Sequence, residues 1–325
     1  CKFGITTTSG TTALHLACAT IGLKKDDQVL VSSSTNMACP FAIDYCGAIP
    51  IPIDIEKDTW QMDVSELEKK INKKTKAIMV VHLFGHPVDM DPVMEIAKKH
   101  NLKVIEDCAE SHGVEYKGRK VGSIGDIGAF SFFANKTITC GEGGMVVTNS
   151  AEIAERAKSL KNLAYGKVNK FMHDDIGFNY RLPNISAALG LGQFENIQNV
   201  FKEKERIYNR YKHNLENIKG INIPAVRKWA TKYIMWVFNL YLDEKFPISR
   251  DELTKKLREK NIDTRDAFVP INQQKILIDK YKIFNENDCP NANFIMDNGF
   301  YLPSGNTITN DEIDFVCNEI KKIAN

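Results

Sequence analysis

Gly128-Ala-Phe-Ser-Phe-Phe-Ala-Asn-Lys136, followed shortly by the glycine-rich Cys140-Gly-Glu-Gly-Gly-Met-Val-Val-Thr148, decides how this chain is read. An apolar, strand-like run stops at a lysine and tight-turn glycines come next, so an amine is set where a buried core ends. Burial and nearby cations lower the pKa of a lysine, and its neutral amine can attack an aldehyde and hold it as a Schiff base. The same pattern also suits a plain surface lysine after a buried strand. The rest of the chain has to choose between the two.

Towards the N-terminus, residues 3–9 run into Ser9-Gly10-Thr11-Thr12, after which Ala13, Leu14, Leu16, Ala17 and Ile21 recur at helical spacing until Gly22. A loop therefore opens a helix here. Its free N–H groups and positive dipole end suit a phosphate, although the tetrapeptide also serves as a simple N-cap. Short apolar runs then alternate with amphipathic segments: Gln28–Ser33, a helix near Met37–Tyr45, Ile49–Ile55, a helix near Val64–Ile71, Ala77–Leu83, a helix near Asp91–His100, and Leu102–Asp107. This alternation predicts an α/β domain with a largely parallel sheet, whose sites lie at the carboxyl ends of strands. The candidates at such ends are His82 to His86, Asp107 to His112, and Ser131 to Lys136.

Val104-Ile105-Glu106-Asp107 ends its strand in two carboxylates that alternate between faces. The one facing a pocket could hold a protonated ring nitrogen or could cap a following helix at Cys108–Ser111. His82 and His86 are separated by Phe84-Gly85 and precede Pro87, which argues against a metal-binding helix face, so no metal is expected. Gly122-Ser-Ile-Gly-Asp-Ile-Gly128 has the wrong glycine spacing, and no following helix, for a dinucleotide loop.

The chain has 325 residues, and its hydrophobic content of 43% suffices for a sizeable core and about two domains. Its 43 basic and 41 acidic residues nearly cancel, with no arginine-rich stripe, which speaks against nucleic acid. The eight cysteines include no CxxC pair, and neither a membrane span nor a signal peptide is visible. A cytoplasmic protein is the expectation. Beyond Thr148, Ala151–Leu163 reads as a helix and Lys167–Asp175 as a polar loop, whose Lys167-Val-Asn-Lys170 is a solvated stretch or a reach towards a nucleotide diphosphate. Gly177-Phe-Asn-Tyr-Arg-Leu-Pro-Asn184 then leads into a long helical pattern from Ile185 to about Ile218. Strands near Met235–Leu242 and Phe268–Val269, with helices near Arg250–Lys260, Gln273–Lys280 and Asn310–Ala324, complete a smaller α+β unit. The expected division is a large domain over 1–185, a bridging helix over 186–220 and a small domain over 221–325.

Taken as an ordered set, Ser9-Gly-Thr-Thr-Ala-Leu-His15, Val81-His-Leu-Phe-Gly-His-Pro87, Ile105-Glu-Asp-Cys-Ala-Glu-Ser-His112, Phe130-Ser-Phe-Phe-Ala-Asn-Lys136, Gly141-Glu-Gly-Gly144 and Gly177-Phe-Asn-Tyr-Arg181 resemble the DegT/DnrJ/EryC1/StrS family of sugar aminotransferases. The resemblance runs through nearly the whole chain. It implies the type I fold of pyridoxal-phosphate enzymes (aspartate-aminotransferase-like), with pyridoxal 5′-phosphate held by Lys136 as a Schiff base. By the same resemblance Asp107 holds the pyridinium nitrogen, Glu110 lies near the phenolic oxygen, and the phosphate is received by Gly10, Thr11 and Ser131. Asn179 matches the residue that reaches the phosphate of a neighbouring subunit, which implies a homodimer with shared sites.

The implied reaction moves an amine from L-glutamate, leaving 2-oxoglutarate, to a nucleotide-linked keto sugar for surface polysaccharide synthesis. Phe-Phe-x-Asn-Lys with Gly-Glu-Gly-Gly looks most like the perosamine-synthase subgroup, which acts on 4-keto-6-deoxy sugars. Related sugar 3-dehydratases carry histidine where this chain has Lys136, so lysine favours amine transfer over that lyase alternative. Family members carry some tens of residues before the strand leading to Ser9-Gly-Thr, and the expectation is of a chain shortened at its N-terminus. An inactive, sugar-nucleotide-binding homologue is the other alternative. Phe268-Val-Pro-Ile-Asn272 and Asn36 depart from the subgroup's aromatic and histidine residues, which leaves the sugar and the C3 or C4 position open.

Overall fold

The computed structural model describes residues 1–166, 168–173 and 175–324, so Lys167 of the polar loop lies outside the described residues. Seven strands build the principal sheet: β1 (Phe3–Thr7), β2 (Gln28–Ser32), β3 (Ile49–Ile53), β4 (Thr75–Val81), β5 (Lys103–Asp107) and, after the hairpin of β6 (Glu115–Tyr116) and β7 (Arg119–Lys120), β8 (Ile127–Ser131) and β9 (Gly144–Thr148). Their order is β1-β9-β8-β5-β4-β2-β3, and β9 runs against the other six.

The sheet is covered on both faces, which explains why its central strands are continuous apolar runs rather than alternating ones. On one face Val29, Val31, Ala77 and Met79 pack with Leu14, Leu16 and Ala17 of α1 (Gly10–Thr20), Ala42 and Ile43 of α2 (Ala38–Tyr45), and Ala154 and Ala157 of α5 (Ala151–Lys161). On the other, Leu30, Ile78, Val80 and Val104 meet Met90, Val93 and Ala97 of α4 (Met90–His100). Val64–Ile71 forms only a 3₁₀ turn and the single-turn α3 (Leu67–Lys70), in place of the longer helix expected. The fold class agrees with expectation: an α/β architecture with a mostly parallel sheet and a smaller sheet beyond it.

The expected bridging helix is two helices, α6 (Asn184–Glu195) and α7 (Ile197–Leu215). Asn196 breaks them with φ −98° and ψ 7°, its N–H turning back to Gln193 O at 3.2 Å and its Oδ1 taking Asn199 Nδ2 at 2.6 Å. Asparagine satisfies local backbone groups outside the helical conformation, whereas an apolar pattern continues straight across such a break. β10 (Ile221–Asn222), β12 (Phe238–Leu242), α8 (Arg250–Glu259), β13 (Arg265–Asp266), β14 (Gly299–Leu302) and α11 (Asn310–Ala324) then form an antiparallel sheet of order β10-β12-β14-β13 with its own core. There Phe238, Leu240 and Phe300 pack on Ile207 and Tyr211 of α7, Leu253 and Leu257 of α8, and Ile313 and Ile320 of α11.

β11 (Ala230–Lys232) leaves that sheet to pair with β6. Phe268–Val269 is not a strand; the strand is Arg265–Asp266, and Phe268 instead turns its ring onto Phe84, with centroids 5.8 Å apart. The pattern did not signal α10 (Pro290–Asn298), which follows α9 (Lys275–Tyr281) and whose first N–H groups are capped from afar by Asp54: Oδ2 accepts from Asn291 N at 3.0 Å and Oδ1 from Ala292 N at 2.9 Å. Among the described residues no helix is long and apolar enough to cross a membrane.

Candidate active site

The carboxyl ends of β4, β5 and β8 and the start of α1 converge on a cavity of about 550 Å³. Its wall includes Gly10, Thr11, Asn36, Asp107, Glu110, Ser131, Lys136, Trp236 and Tyr301. Six of the seven residues named from the sequence are therefore brought together. Asn179 is not. It lies exposed outside the cavity, its Oδ1 accepting from Arg181 Nε at 2.9 Å and its backbone bridging Asn162.

Ser9 caps α1 through a capping box: its Oγ accepts from Thr12 N at 3.1 Å and Thr12 Oγ1 accepts from Ser9 N at 2.9 Å. The N–H groups of Gly10 and Thr11 precede the first intrahelical acceptor and are left to an outside acceptor, at the positive end of the helix. Gly10 presses so closely on β8 that a β-carbon there would fall 2.6 Å from Ser131 Cβ. Only glycine brings the helix start and the serine hydroxyl side by side, which is the donor arrangement a phosphate group requires.

Lys136 stands in the turn after β8, with its Nζ 3.3 Å from Glu110 Oε1 and 3.9 Å from the centre of the Trp236 ring. Glu110 is buried and also accepts Phe84 N–H at 3.1 Å through Oε2; burial pushes its carboxyl above the ordinary range, with the Lys136 charge pulling the other way. Phe84 takes a left-handed backbone conformation, φ 52°, uncommon for a bulky residue, and its ring stacks on Trp236 at 6.0 Å. Trp236 is fixed in turn by Nε1–H donation to Asn135 O at 2.9 Å. An aromatic lid from distant parts of the chain thus holds the lysine amine over the cavity.

Alternation does separate the two carboxylates of β5. Asp107 faces the cavity side, where Oδ2 accepts from the thiol of Cys39 at 2.9 Å and Oδ1 from Ala109 N at 2.9 Å. It caps a turn, since no helix forms at Cys108–Ser111, and still fronts the cavity. Glu106 points away. Its Oε1 accepts Ile124 N–H at 2.8 Å and Gly125 N–H at 2.6 Å, and its Oε2 accepts Gly122 N–H at 2.7 Å and His82 Nε2–H at 3.1 Å. His82 Nδ1 accepts Val88 N–H at 3.1 Å, which places the ring proton on Nε2. Burial pushes Glu106 up, but His82 and these backbone donors outweigh it and hold the carboxyl below its ordinary value. The glycine loop set aside as a nucleotide site is therefore a cradle for an internal carboxylate. The ligand atoms of His82, Glu106 and Cys108 lie within 4.8 Å of one another, yet those of His82 and Glu106 are already engaged in this network.

Sequence reasoning missed Trp236, Tyr301, Phe84 and Cys39. Phe84 alone carried a local signal, an aromatic before Gly85 at a strand end; the others lie in unremarkable stretches of sequence.

The cavity joins a lysine amine, a carboxylate at the far wall and an anion-ready helix start, the donor set that suits pyridoxal phosphate. Residues 1–321 match the profile of the DegT/DnrJ/EryC1/StrS aminotransferase family. The chain is 40% identical over 321 residues to a GDP-perosamine synthase of Escherichia coli O157:H7, covering 99% of this chain and 85% of that protein. A GDP-perosamine synthase of Vibrio cholerae is 36% identical over 326 residues, covering 100% and 87%. Among solved structures, DesV of S. venezuelae superposes with a TM-score of 0.91 at 31% identity, over 99% of this chain and 84% of that one. The chain belongs to the DegT/DnrJ/EryC1/StrS aminotransferase family and is a pyridoxal-phosphate-dependent sugar aminotransferase.

Proposed function

We propose that this aminotransferase takes its amine from glutamate and delivers it to a nucleotide-linked 4-keto-6-deoxy sugar, as a GDP-perosamine synthase does, in cytoplasmic synthesis of a surface polysaccharide. The observation that carries this reading is the Lys136 amine, held between Glu110 and Trp236 over a cavity that also contains Asp107 and the α1 N-terminus. Bound pyridoxal phosphate supplies an electron sink for the carbon that loses a proton. Gly10, Thr11 and Ser131 would receive its phosphate, Asp107 would hold its ring nitrogen protonated, and Glu110 would face its phenolic oxygen. Lys136 Nζ would hold the cofactor in the resting enzyme and, once released from it, would move the proton between the reacting carbon of the bound substrate and the cofactor, in opposite directions in the two half-reactions. The Trp236 and Phe84 rings exclude water from that transfer.

The working unit is a homodimer. No residue of α6 is fully buried in the single chain, and Ile185, Leu189, Leu191 and Phe194 are 58 to 77% exposed, so the helix turns a large apolar face outward. A second copy of the chain covers it and brings Asn179 towards the neighbouring phosphate site. Light scattering on the purified protein tests the dimer.

The chemistry is tested by the absorbance of the protein with pyridoxal phosphate before and after glutamate, beside Lys136→Ala. A cofactor band that responds to glutamate only when lysine is present supports the reading, and mass spectrometry with a GDP-linked 4-keto-6-deoxy sugar then reads amine incorporation. A protein that holds the cofactor without any response to glutamate refutes it.

A further inference from the structure

A second cavity, of about 510 Å³, adjoins the first and shares Asn135, Lys136, Trp236 and Tyr301 with it. Its wall carries three cations, Lys136, Lys204 and Arg265, and one carboxylate, Asp263. Arg265 and Asp263 pair at 3.0 Å on the exposed side. Lys204, on α7, is only 5% exposed. Its Nζ donates to Trp236 O at 2.8 Å and to Ser304 O at 2.8 Å, and an ammonium has a third N–H to give. Among the described residues no carboxylate pairs with it, and burial pulls it down to about 8. Buried cations are costly without a counter-charge. Asn306 lines the same cavity with its Oδ1 buried and without a partner, so its amide can rotate to turn its NH₂ inward.

We propose that this cavity receives the carboxylate of the acidic amino donor, between the spare N–H of Lys204 and the amide of Asn306. The inference rests on the aminotransferase reading and adds to it where the donor is held. An anion bound here lies beside Lys136 and hence close to the reacting carbon. In an amino acid the carboxylate is attached to the carbon that bears the amine. In a nucleotide sugar the hexose ring separates the diphosphate from the keto carbon, so with that carbon at Lys136 a diphosphate lies farther from the lysine than the carboxylate of an amino acid does. The cavity is also of the size that encloses a small-molecule ligand.

The test uses the full chain loaded with pyridoxal phosphate, as wild type, Asn306→Leu and Lys204→Met, with urea unfolding to check that each variant is folded. Calorimetry reads the binding of 2-oxoglutarate and, separately, of GDP; stopped-flow absorbance reads the half-saturating concentration of glutamate. In Asn306→Leu, 2-oxoglutarate binding and glutamate half-saturation are expected to weaken by about tenfold, the loss of one hydrogen bond to a charged group, with GDP unchanged. Lys204→Met should do the same more severely; because it also releases two carbonyls, Asn306→Leu is the deciding variant. A folded Asn306→Leu with wild-type affinity for 2-oxoglutarate overturns the proposal, as does a loss confined to GDP, which would assign the cavity to a diphosphate. A wild type that binds 2-oxoglutarate in a manner sensitive to Asn306 but transfers no amine would sink the aminotransferase reading and leave the cavity assignment standing.

Discussion

Gly10→Ala tests whether the start of α1 is the cofactor's anchor. A β-carbon at this position falls 2.6 Å from Ser131 Cβ, 2.8 Å from its Oγ and 3.3 Å from its Cα, whereas ordinary contact begins near 3.4 Å. The serine is the last residue of a central strand and cannot swing aside, so the helix start and the strand end must separate by about 0.8 Å in a close-packed interior. Overpacking of this kind costs about 1–3 kcal/mol of stability. The effect on the cofactor is separate. The N–H groups of Gly10 and Thr11 move with the helix, and a hydrogen bond to a charged acceptor is worth about 1.5–3 kcal/mol, so misplacing one weakens pyridoxal phosphate about tenfold to a hundredfold. Absorbance titration of the purified protein with pyridoxal phosphate reads that affinity, and urea unfolding of the cofactor-free protein reads the packing cost. A variant that loses stability but keeps wild-type cofactor affinity would refute the reasoning, because the helix start would then be packed against β8 without serving as a phosphate cradle.

Two further outcomes follow from buried groups outside the cavity. His86 is locked as a neutral ring, Nδ1–H donating to Pro87 O at 2.9 Å and Nε2 accepting Arg227 N–H at 3.0 Å, and burial lowers it to about 4. A histidine with a depressed folded value contributes stability that is present above its unfolded pKa of about 6.5 and is lost as pH falls towards about 4, at about 1.4 kcal/mol per pH unit. Urea midpoints at pH 7 and pH 5 should therefore show a shallower acid loss in His86→Gln than in wild type; equal slopes would count against a neutral His86. Glu106→Gln replaces an oxygen that accepts two N–H donors with an NH₂ that faces both, whichever way the amide turns, since Oε1 and Oε2 each take two. A destabilisation of about 3 kcal/mol or more is expected from chemical denaturation, and a wild-type midpoint would contradict the network described.

Much of the large sheet could be read from the chain alone, for a physical reason. Buried parallel strands such as Ala77–Val81 need apolar residues on both faces, and amphipathic stretches such as Asp91–His100 repeat at helical spacing, so both write themselves into local order. The small sheet is harder. Gly299–Leu302 is only four residues long and becomes a strand because Phe300 and Tyr301 pair with β12 and β13 across the chain. The break at Asn196 was hidden by an apolar pattern that continues over it, and α6 is apolar without facing any core of its own chain.

For the site, the residues at strand ends and at the helix start were legible because their types suit the chemistry: Asp107 and Ser131 at the ends of β5 and β8, Lys136 in the turn beyond, Gly10 and Thr11 opening α1. Their convergence was not, because it depends on the order in which the strands hydrogen-bond, which places β8 beside β5 and α1 against both β8 and β9. The residues that surround Lys136 were further from reach. Trp236 lies a hundred positions along the chain and arrives through Asn135 O, Phe84 is held in a left-handed conformation with its N–H on Glu110, and Lys204 joins the same wall only because α7 carries it beneath the carbonyls of Trp236 and Ser304. Sequence by itself determined which segments are strands of a buried sheet and which amine ends one of them, since local burial dictates local composition. Only the tertiary structure decided what that amine touches, because a contact between distant residues is made by packing and leaves no periodic trace in either segment.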